Sequence, residues 1–247
     1  MYGQAIKNPS ILQNISQLSS GYPFLVPALI QTIEANYIFT LKNSLMFNVS
    51  LFKNMLNNLI VKRNIFNTVD NTWVLYSSNS GKMATHGIEI SLDIKPYYNL
   101  RLKLSGMFQQ SRNLEQGFSN IALGYSPNLL LYFNSIYFAT KNLSFSLNGR
   151  YIGSMKTAWD DSPTDPENGD FTPLGRIGYE IPPYFVLDFN LRYNNFFRKN
   201  IFLNLHIFNI SNREIRFPTT TSNAWADKGT LDFGRTVLFT VGTKLNN

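Results

Sequence analysis

Apolar and polar residues alternate along much of the chain with a period of two. In segment 143–151 every odd position is apolar or glycine, and the even positions are Ser, Asn and Arg. Segments 98–104 and 185–193 keep the same alternation, with Arg, Lys, Asp or Asn at the polar positions. A helix would instead repeat its apolar residues at spacings of three and four. These segments are therefore predicted to be strands with one apolar face and one polar face.

The alternating segments predict about nine strands, and several are long enough to cross a bilayer. They are 29–41, 44–66, 72–94, 98–112, 127–138, 142–155, 183–195, 200–211 and 234–246. A tilted strand needs about 9–11 residues to cross a bilayer, whereas many soluble strands have about five or six. Lipid on one face and a polar lumen on the other are typical of an outer-membrane barrel. We therefore predict an all-β fold, a transmembrane antiparallel β-barrel.

The connections between these strands alternate between short and long. The short turns carry Lys and are predicted to be periplasmic: Lys42-Asn43, Lys95-Pro96-Tyr97, Lys141-Asn142 and Lys199-Asn200. The long, polar, Gly/Pro-rich connections, roughly 67–71, 111–126, 157–182 and 211–233, are predicted to be external loops. Outer-membrane barrels show this alternation.

An odd number of strands would leave two open edges, which are costly in lipid. We therefore expect residues 1–247 to be part of a larger barrel domain, with residues 1–28 as an N-terminal loop segment. Composition agrees with a membrane barrel, because only 15% of residues are charged and no apolar run is long enough for a spanning helix. The net charge of +7 is scattered along the chain, so nucleic-acid binding is not expected.

Taken together, several motifs make the chain resemble the C-terminal barrel of the TonB-dependent outer-membrane receptors over nearly its whole length. Each motif is weak alone, but their order and spacing follow the family. They are Pro23-Phe-Leu-Val-Pro27 with Glu34-Ala-Asn-Tyr37, Asn54 to Ile60, Asn79-Ser-Gly81 with Thr85 to Leu92, Phe208 to Pro218, and Phe233-Gly-Arg-Thr-Val-Leu-Phe239.

The resemblance implies a non-enzymatic transporter of the cell outer membrane, surrounded by outer-membrane lipid. Such receptors take up a scarce bulky solute, for example an iron–siderophore complex or another metal chelate, by energy-coupled transport. A family barrel has 22 strands, so this chain would supply the last nine or so. The N-terminal plug, which also contacts the TonB-type energy transducer, is not visible in this sequence.

Candidate ligand-contacting residues lie in two of the predicted external loops. They are Trp159, Asp160, Asp161, Asp165, Glu167 and Asp170 in one loop, and Trp225 in another. The carboxylates could hold Ca²⁺ through oxygen ligands, but their spacing fits no EF-hand, and a solvated loop is the simpler interpretation. No catalytic, metal or cofactor site is predicted: His86 and His206 are the only histidines and lie on separate predicted strands.

Two other functions are compatible with the sequence. A small passive porin-like or adhesin-like barrel would need an even strand number within this chain. A soluble carbohydrate-binding β-sandwich would need no detergent or lipid to stay in solution.

Overall fold

A single antiparallel sheet dominates the computed structural model, which describes residues 1–19, 21–67, 72–115, 121–158, 175–198, 200–219 and 225–243. Its strands are β1 Tyr2–Lys7, β2 Ala28–Leu41, β3 Leu45–Asn67, β4 Thr72–Tyr97, β5 Leu100–Asn113, β6 Ile121–Ala122, β7 Leu129–Phe138, β8 Leu143–Ile152, β9 Tyr184–Tyr193, β10 Ile201–Phe208 and β13 Thr236–Thr243. Each long strand pairs with the next, in the order β1-β2-β3-β4-β5-β7-β8-β9-β10-β13, and β6 pairs with β5. Two further short strands, β11 Arg216–Phe217 and β12 Thr230–Leu231, form a separate pair.

All nine predicted strands are present, and the antiparallel all-β fold is confirmed. The loop predicted over residues 1–28 is wrong, because that segment contains β1 and the helix α1, Ile11–Ser19. β1 pairs with β2 through its backbone, although its sequence lacks a clean apolar alternation. α1 begins with a capping box in which Ser10 and Gln13 bond each other's backbone N–H at 3.1 and 2.8 Å.

β1 adds one strand to the nine predicted, so the main path of the described sheet has ten strands, and β6 is an eleventh strand beside it. Within the described residues, β1 and β13 remain two unpaired edges, so the sheet is not closed by this chain. The only other sheet described is the β11–β12 pair, so the sandwich, which needs two facing sheets, is also wrong. No described helix is long and apolar enough to cross a bilayer.

The two faces of the sheet differ sharply in chemistry. The apolar face presents large side chains to the surroundings: Phe185 is 48% exposed and Phe239 is 61% exposed. The polar face carries a continuous row of paired residues from β4 to β9: Asp93, Lys103, Asn134, Asn148 and Asp188. Lys103 lies 3.4 Å from Asp93, and Asp188 lies 3.6 Å from Arg150.

The apolar face has the height of a membrane span. The apolar positions of β8 extend over its ten residues. At about 3.3 Å per residue and a tilt of about 40°, ten residues rise about 25 Å, the usual height of the lipid-facing band of a barrel. A sheet with one such face and one charged face suits a wall between lipid and a polar lumen.

Candidate ligand-binding site at the long connections

Every long connection lies at one end of the sheet, because consecutive strands run in opposite directions. The opposite, short-turn end contains the turns 42–44, 98–99, 139–142 and 194–200. The long-connection end contains the described parts of segments 8–27, 114–128, 153–183 and 209–235, together with the last described residues of β3 and the first of β4. The predicted alternation of short turns and long loops is thus confirmed.

Parts of three of these connections bind one another and form what we call the loop platform: residues 122–128, 153–158, 175–182, 209–219 and 225–232. Tyr125 donates its backbone N–H to Lys156 at 2.8 Å. Met155 and Ile181 form an isolated antiparallel bridge. The loop platform is therefore held by backbone hydrogen bonds between segments far apart in sequence, which orders the loops relative to each other.

Polar side chains hold the centre of the loop platform. The Arg176 guanidinium donates to the carbonyl of Ala122 at 2.6 Å and also to that of Thr157. Burial lowers the pKa of Arg176, an effect that nearby Glu180 opposes. The Tyr125 hydroxyl donates to the carbonyl of Thr219 at 3.1 Å. Burial also raises the pKa of Tyr125, so its neutral, hydrogen-bonding form is favoured.

One carboxylate on the polar face of the sheet, that of Asp188, connects the barrel wall to the loop platform by a hydrogen bond. Asp188 is only 7% exposed and accepts the backbone N–H of Asn209 at 2.7 Å. The Asn209 side chain then closes a turn by bonding both the N–H and the carbonyl of Arg213 at 2.8 Å. Asn209 has a φ of +50°, a conformation that Asn tolerates better than most residues. The β10–β13 connection therefore leaves the wall in a defined direction.

A second clamp fastens the segment before β2 to the β3–β4 hairpin. The Asn79 side chain bonds both the N–H and the carbonyl of Val26 at 2.8 Å, and also the carbonyl of Asn58 at 2.8 Å. Asn58 lies in a β-bulge of β3 with a φ of +55°. Gly81 lies opposite this bulge, and a Cβ there would come within 2.7 Å of the Leu59 Cβ. Three of the motifs read from the sequence therefore meet at Asn79.

Trp225 is the one predicted ligand-contacting residue in the described part of the chain. Its side chain is 85% exposed. Two residues further on, the backbone carbonyl of Asp227 accepts the backbone N–H of Tyr179 at 2.7 Å, and Tyr179 is itself 64% exposed. The sequence analysis did not single out Tyr179, since nothing in its local sequence separates it from other loop tyrosines. The structure thus joins the two segments that carry these exposed aromatic side chains.

The other six predicted residues lie outside the described residues: Trp159, Asp160, Asp161, Asp165, Glu167 and Asp170. The two ends of their loop belong to the loop platform, where Ile177 donates its backbone N–H to Ala158 at 3.0 Å. In the part of the chain that the structure describes, no group of three or more His, Asp or Glu side chains is arranged to hold a metal ion.

An amphipathic sheet of membrane-spanning height, with a polar inner face and ordered loops at one end, defines the wall of a transmembrane β-barrel. The chain belongs to the family of TonB-dependent receptor-like β-barrels, whose model matches residues 1–210. The resemblance seen in the sequence is thereby confirmed. Receptors of this family are outer-membrane transporters rather than enzymes.

Solved structures share this fold at low sequence identity. The ferric enterobactin receptor PfeA of Pseudomonas aeruginosa, in a mutant form, superposes with a TM-score of 0.71 at 18% identity, over 97% of this chain and 36% of that one. The copper transporter OprC gives 0.70 at 15% identity, over 97% and 35%. The ferric-catecholate import receptor Fiu of E. coli gives 0.65 at 20% identity, over 97% and 32%.

The chain therefore spans about a third of the length of these solved structures. No curated protein matches it.

Proposed function

We propose that the chain forms part of the wall and the external loops of an outer-membrane receptor for energy-coupled, TonB-dependent uptake of a scarce bulky solute. A metal chelate such as an iron–siderophore complex is the proposed class of solute. The plug and the contact with the TonB-type transducer would be provided by other parts of the receptor.

The loop platform is the observation that supports this proposal most strongly. A passive pore needs only a polar lumen, whereas a receptor must hold its ligand in a fixed geometry before transport. Loops that bind one another reduce the entropy lost when a ligand orders them. The exposed Trp225 and Tyr179 side chains supply flat apolar surfaces with a polar edge, which suits a bulky ligand of mixed polarity.

The loop between Ala158 and Gly175 adds a charge preference to this site. It contains five carboxylates and no Lys or Arg. The strongly acidic sequence of this loop favours ligands that carry positive charge or hydrogen-bond donors, and it disfavours anionic ones. We therefore expect a neutral or cationic chelate to bind better than an anionic chelate of the same size.

Uptake by living cells tests the proposal. The full-length receptor is expressed in a strain without other iron receptors, and cells are offered radiolabelled iron on a panel of siderophores of different charge. Trp225→Ala should reduce uptake about tenfold, the loss of one exposed aromatic contact of about 1.4 kcal/mol. The control Tyr98→Ala removes a fully exposed aromatic side chain at the short-turn end and should leave uptake unchanged.

Energy coupling separates this proposal from the passive alternative. Uptake should stop when a protonophore collapses the membrane potential, although binding at the cell surface persists. Uptake that continues at the same rate, together with ion conduction in a planar bilayer, would establish a passive barrel instead.

A further inference from the structure

A cavity on the polar face of the sheet, which we call the lumen cavity, lies halfway along β8. It has a volume of about 310 Å³. The polar side chains that line it include Lys103, Tyr132, Asn134, Asn148, Arg150 and Asp188. They come from four adjacent strands, β5, β7, β8 and β9, and occupy two neighbouring register rows. The lumen cavity is therefore built by the wall itself and not by the loops.

The charges that the lumen cavity presents to the lumen are positive. The Lys103 and Arg150 side chains are 67% and 42% exposed. Their partner carboxylates, on Asp93 and Asp188, are much less exposed. Asp188 is also occupied by the backbone N–H of Asn209. The two carboxylates thus lie at the base of the wall and hold the cations, whose outer sides stay open to a ligand.

Unused hydrogen-bond donors lie between the two cations. Asn134 donates its side-chain amide to the Asn148 carbonyl oxygen at 2.5 Å, which fixes the orientation of the Asn148 amide. Among the described residues, the Asn148 NH₂ group, the Tyr132 hydroxyl and the Arg150 guanidinium have no hydrogen-bond acceptor. Tyr132 pairs with Arg150, and Asn148 precedes Arg150 by two residues, so these donors are neighbours on one face. Donors beside positive charge suit an oxyanion.

The spacing and chemistry of the two cations favour a carboxylate. Lys103 and Arg150 are two strands and two residues apart, about 12 Å between their Cα atoms, so both long side chains can reach one small group between them. The planar fork of an arginine matches the two oxygens of a carboxylate, and a lysine adds a second point charge. The volume of the lumen cavity is at the lower limit for a ligand site, so it suits one part of a bulky solute.

We propose that the lumen cavity binds a carboxylate carried by the transported solute, with Arg150 and Lys103 as its charged partners. The assignment rests on the proposed uptake function and narrows the solute to chelates that carry a free carboxylate. Such a chelate is neutral or cationic overall when positive groups on the same molecule balance the carboxylate. An acidic side chain of a polypeptide inside the lumen offers the same chemistry, and the experiment separates the two sources.

Photoaffinity labelling of the full-length receptor in mild detergent tests the site. The probes are azidobenzoate and its neutral analogue azidobenzamide, and mass spectrometry identifies the labelled peptides. In the wild type, azidobenzoate should label β7 and β8 about tenfold more than azidobenzamide does, the contribution of one hydrogen bond between charged groups. K103Q and R150Q should each remove most of this preference. The control K53Q removes an exposed lysine from the apolar face and should leave it unchanged.

The variants also keep the result independent of folding. K103Q changes a largely exposed side chain, so it reports on the site even if R150Q disturbs Asp188 and the wall. Equal labelling by the two probes, or an equal loss in K53Q and K103Q, would overturn the proposal. A wild type that neither probe labels would overturn it too, since a polypeptide carboxylate would then already occupy the lumen cavity.

Uptake of radiolabelled iron is measured in parallel, with chelates that carry a free carboxylate and chelates that carry none. K103Q should lower uptake of the first group about tenfold and leave the second unchanged. A receptor that is labelled as expected but takes up no chelate refutes the proposed function alone. A receptor that takes up chelates with and without a carboxylate equally well in K103Q refutes the lumen site alone.

Discussion

Replacing Asn79 by alanine should release the segment before β2 from the β3–β4 hairpin. Its side chain makes three hydrogen bonds, two with the backbone of Val26 and one with the carbonyl of Asn58. Each contributes about 0.5–1.5 kcal/mol net, and the clamp is exposed to solvent, so the lower end of the range applies. The loss should be about 2 kcal/mol, which raises the local opening equilibrium about 30-fold.

Hydrogen–deuterium exchange of the peptide spanning residues 22–28 measures this opening. In Asn79→Ala the amides of that peptide should exchange about 30-fold faster, while peptides from β7 and β8 keep their wild-type rates. Asn79→Asp should open the segment further than alanine does. The carboxylate still accepts from Val26 but faces two carbonyl oxygens that have lost their donors.

Ser78→Ala is the matched control, since Ser78 neighbours Asn79 on the same strand and contacts Ser80 through an exposed hydroxyl pair at 3.0 Å. Its exchange should match the wild type. If Asn79→Ala exchanges no faster than Ser78→Ala, the clamp does not hold the segment. If Asn79→Asp behaves as the wild type, the two donated hydrogen bonds contribute nothing.

Three further outcomes follow from the wall and the loop platform. Gly149→Val should lower the unfolding temperature, because a Cβ at this position would overlap the Phe133 ring and overpacking costs about 1–3 kcal/mol. Gly3→Ala is the control and should leave the unfolding temperature unchanged, because no atom lies within 4 Å of a Cβ at Gly3. Asp188→Ala should destabilise the wall by about 1.5–3 kcal/mol, the usual contribution of a hydrogen bond to a charged group, as read by thermal unfolding in detergent. The raised pKa of Tyr125 means that its neutral phenol stabilises the fold fully below pH 10.0 and loses that effect as the pH rises through the raised value. Tyr125→Phe should therefore flatten the alkaline part of a stability profile, and an unchanged slope would show that Tyr125 does not titrate there.

The strands of the wall could be read from the sequence because one face must be apolar along its whole length. The alternation in segments such as 143–151 follows from that requirement, and β8 covers the whole of this segment. β1 was missed because pairing with β2 satisfies its backbone without a clean pattern of side chains. α1 did carry a readable signal, the Ser10–Gln13 capping box.

The loop platform could not be predicted, because its contacts join residues remote in the chain. Tyr125 bonds Thr219 across 94 positions. The motifs near the end of the chain show the same limit: the Asn212 side chain accepts the backbone N–H of Arg235 at 2.9 Å. The segment around Asn212 and the segment around Arg235 each carry a recognisable motif, but no local pattern indicates that the two segments are in contact. Loops also carry no periodic constraint, so their pairing is visible only in three dimensions.

The upper part of β4 illustrates how such a protein avoids an unwanted association. Among the described residues, β4 has no β5 partner in the register before Met83, so this edge of the hairpin could pair with another strand. Gln17 of α1 occupies the edge: its side-chain amide donates to the Ser77 carbonyl at 2.6 Å and accepts the Ser77 N–H at 3.3 Å. One glutamine thus imitates a short piece of neighbouring strand. Exposed strand edges of this kind are starting points for aggregation. By covering the edge of β4, Gln17 helps prevent the hairpins of neighbouring molecules from pairing with each other on a crowded cell surface.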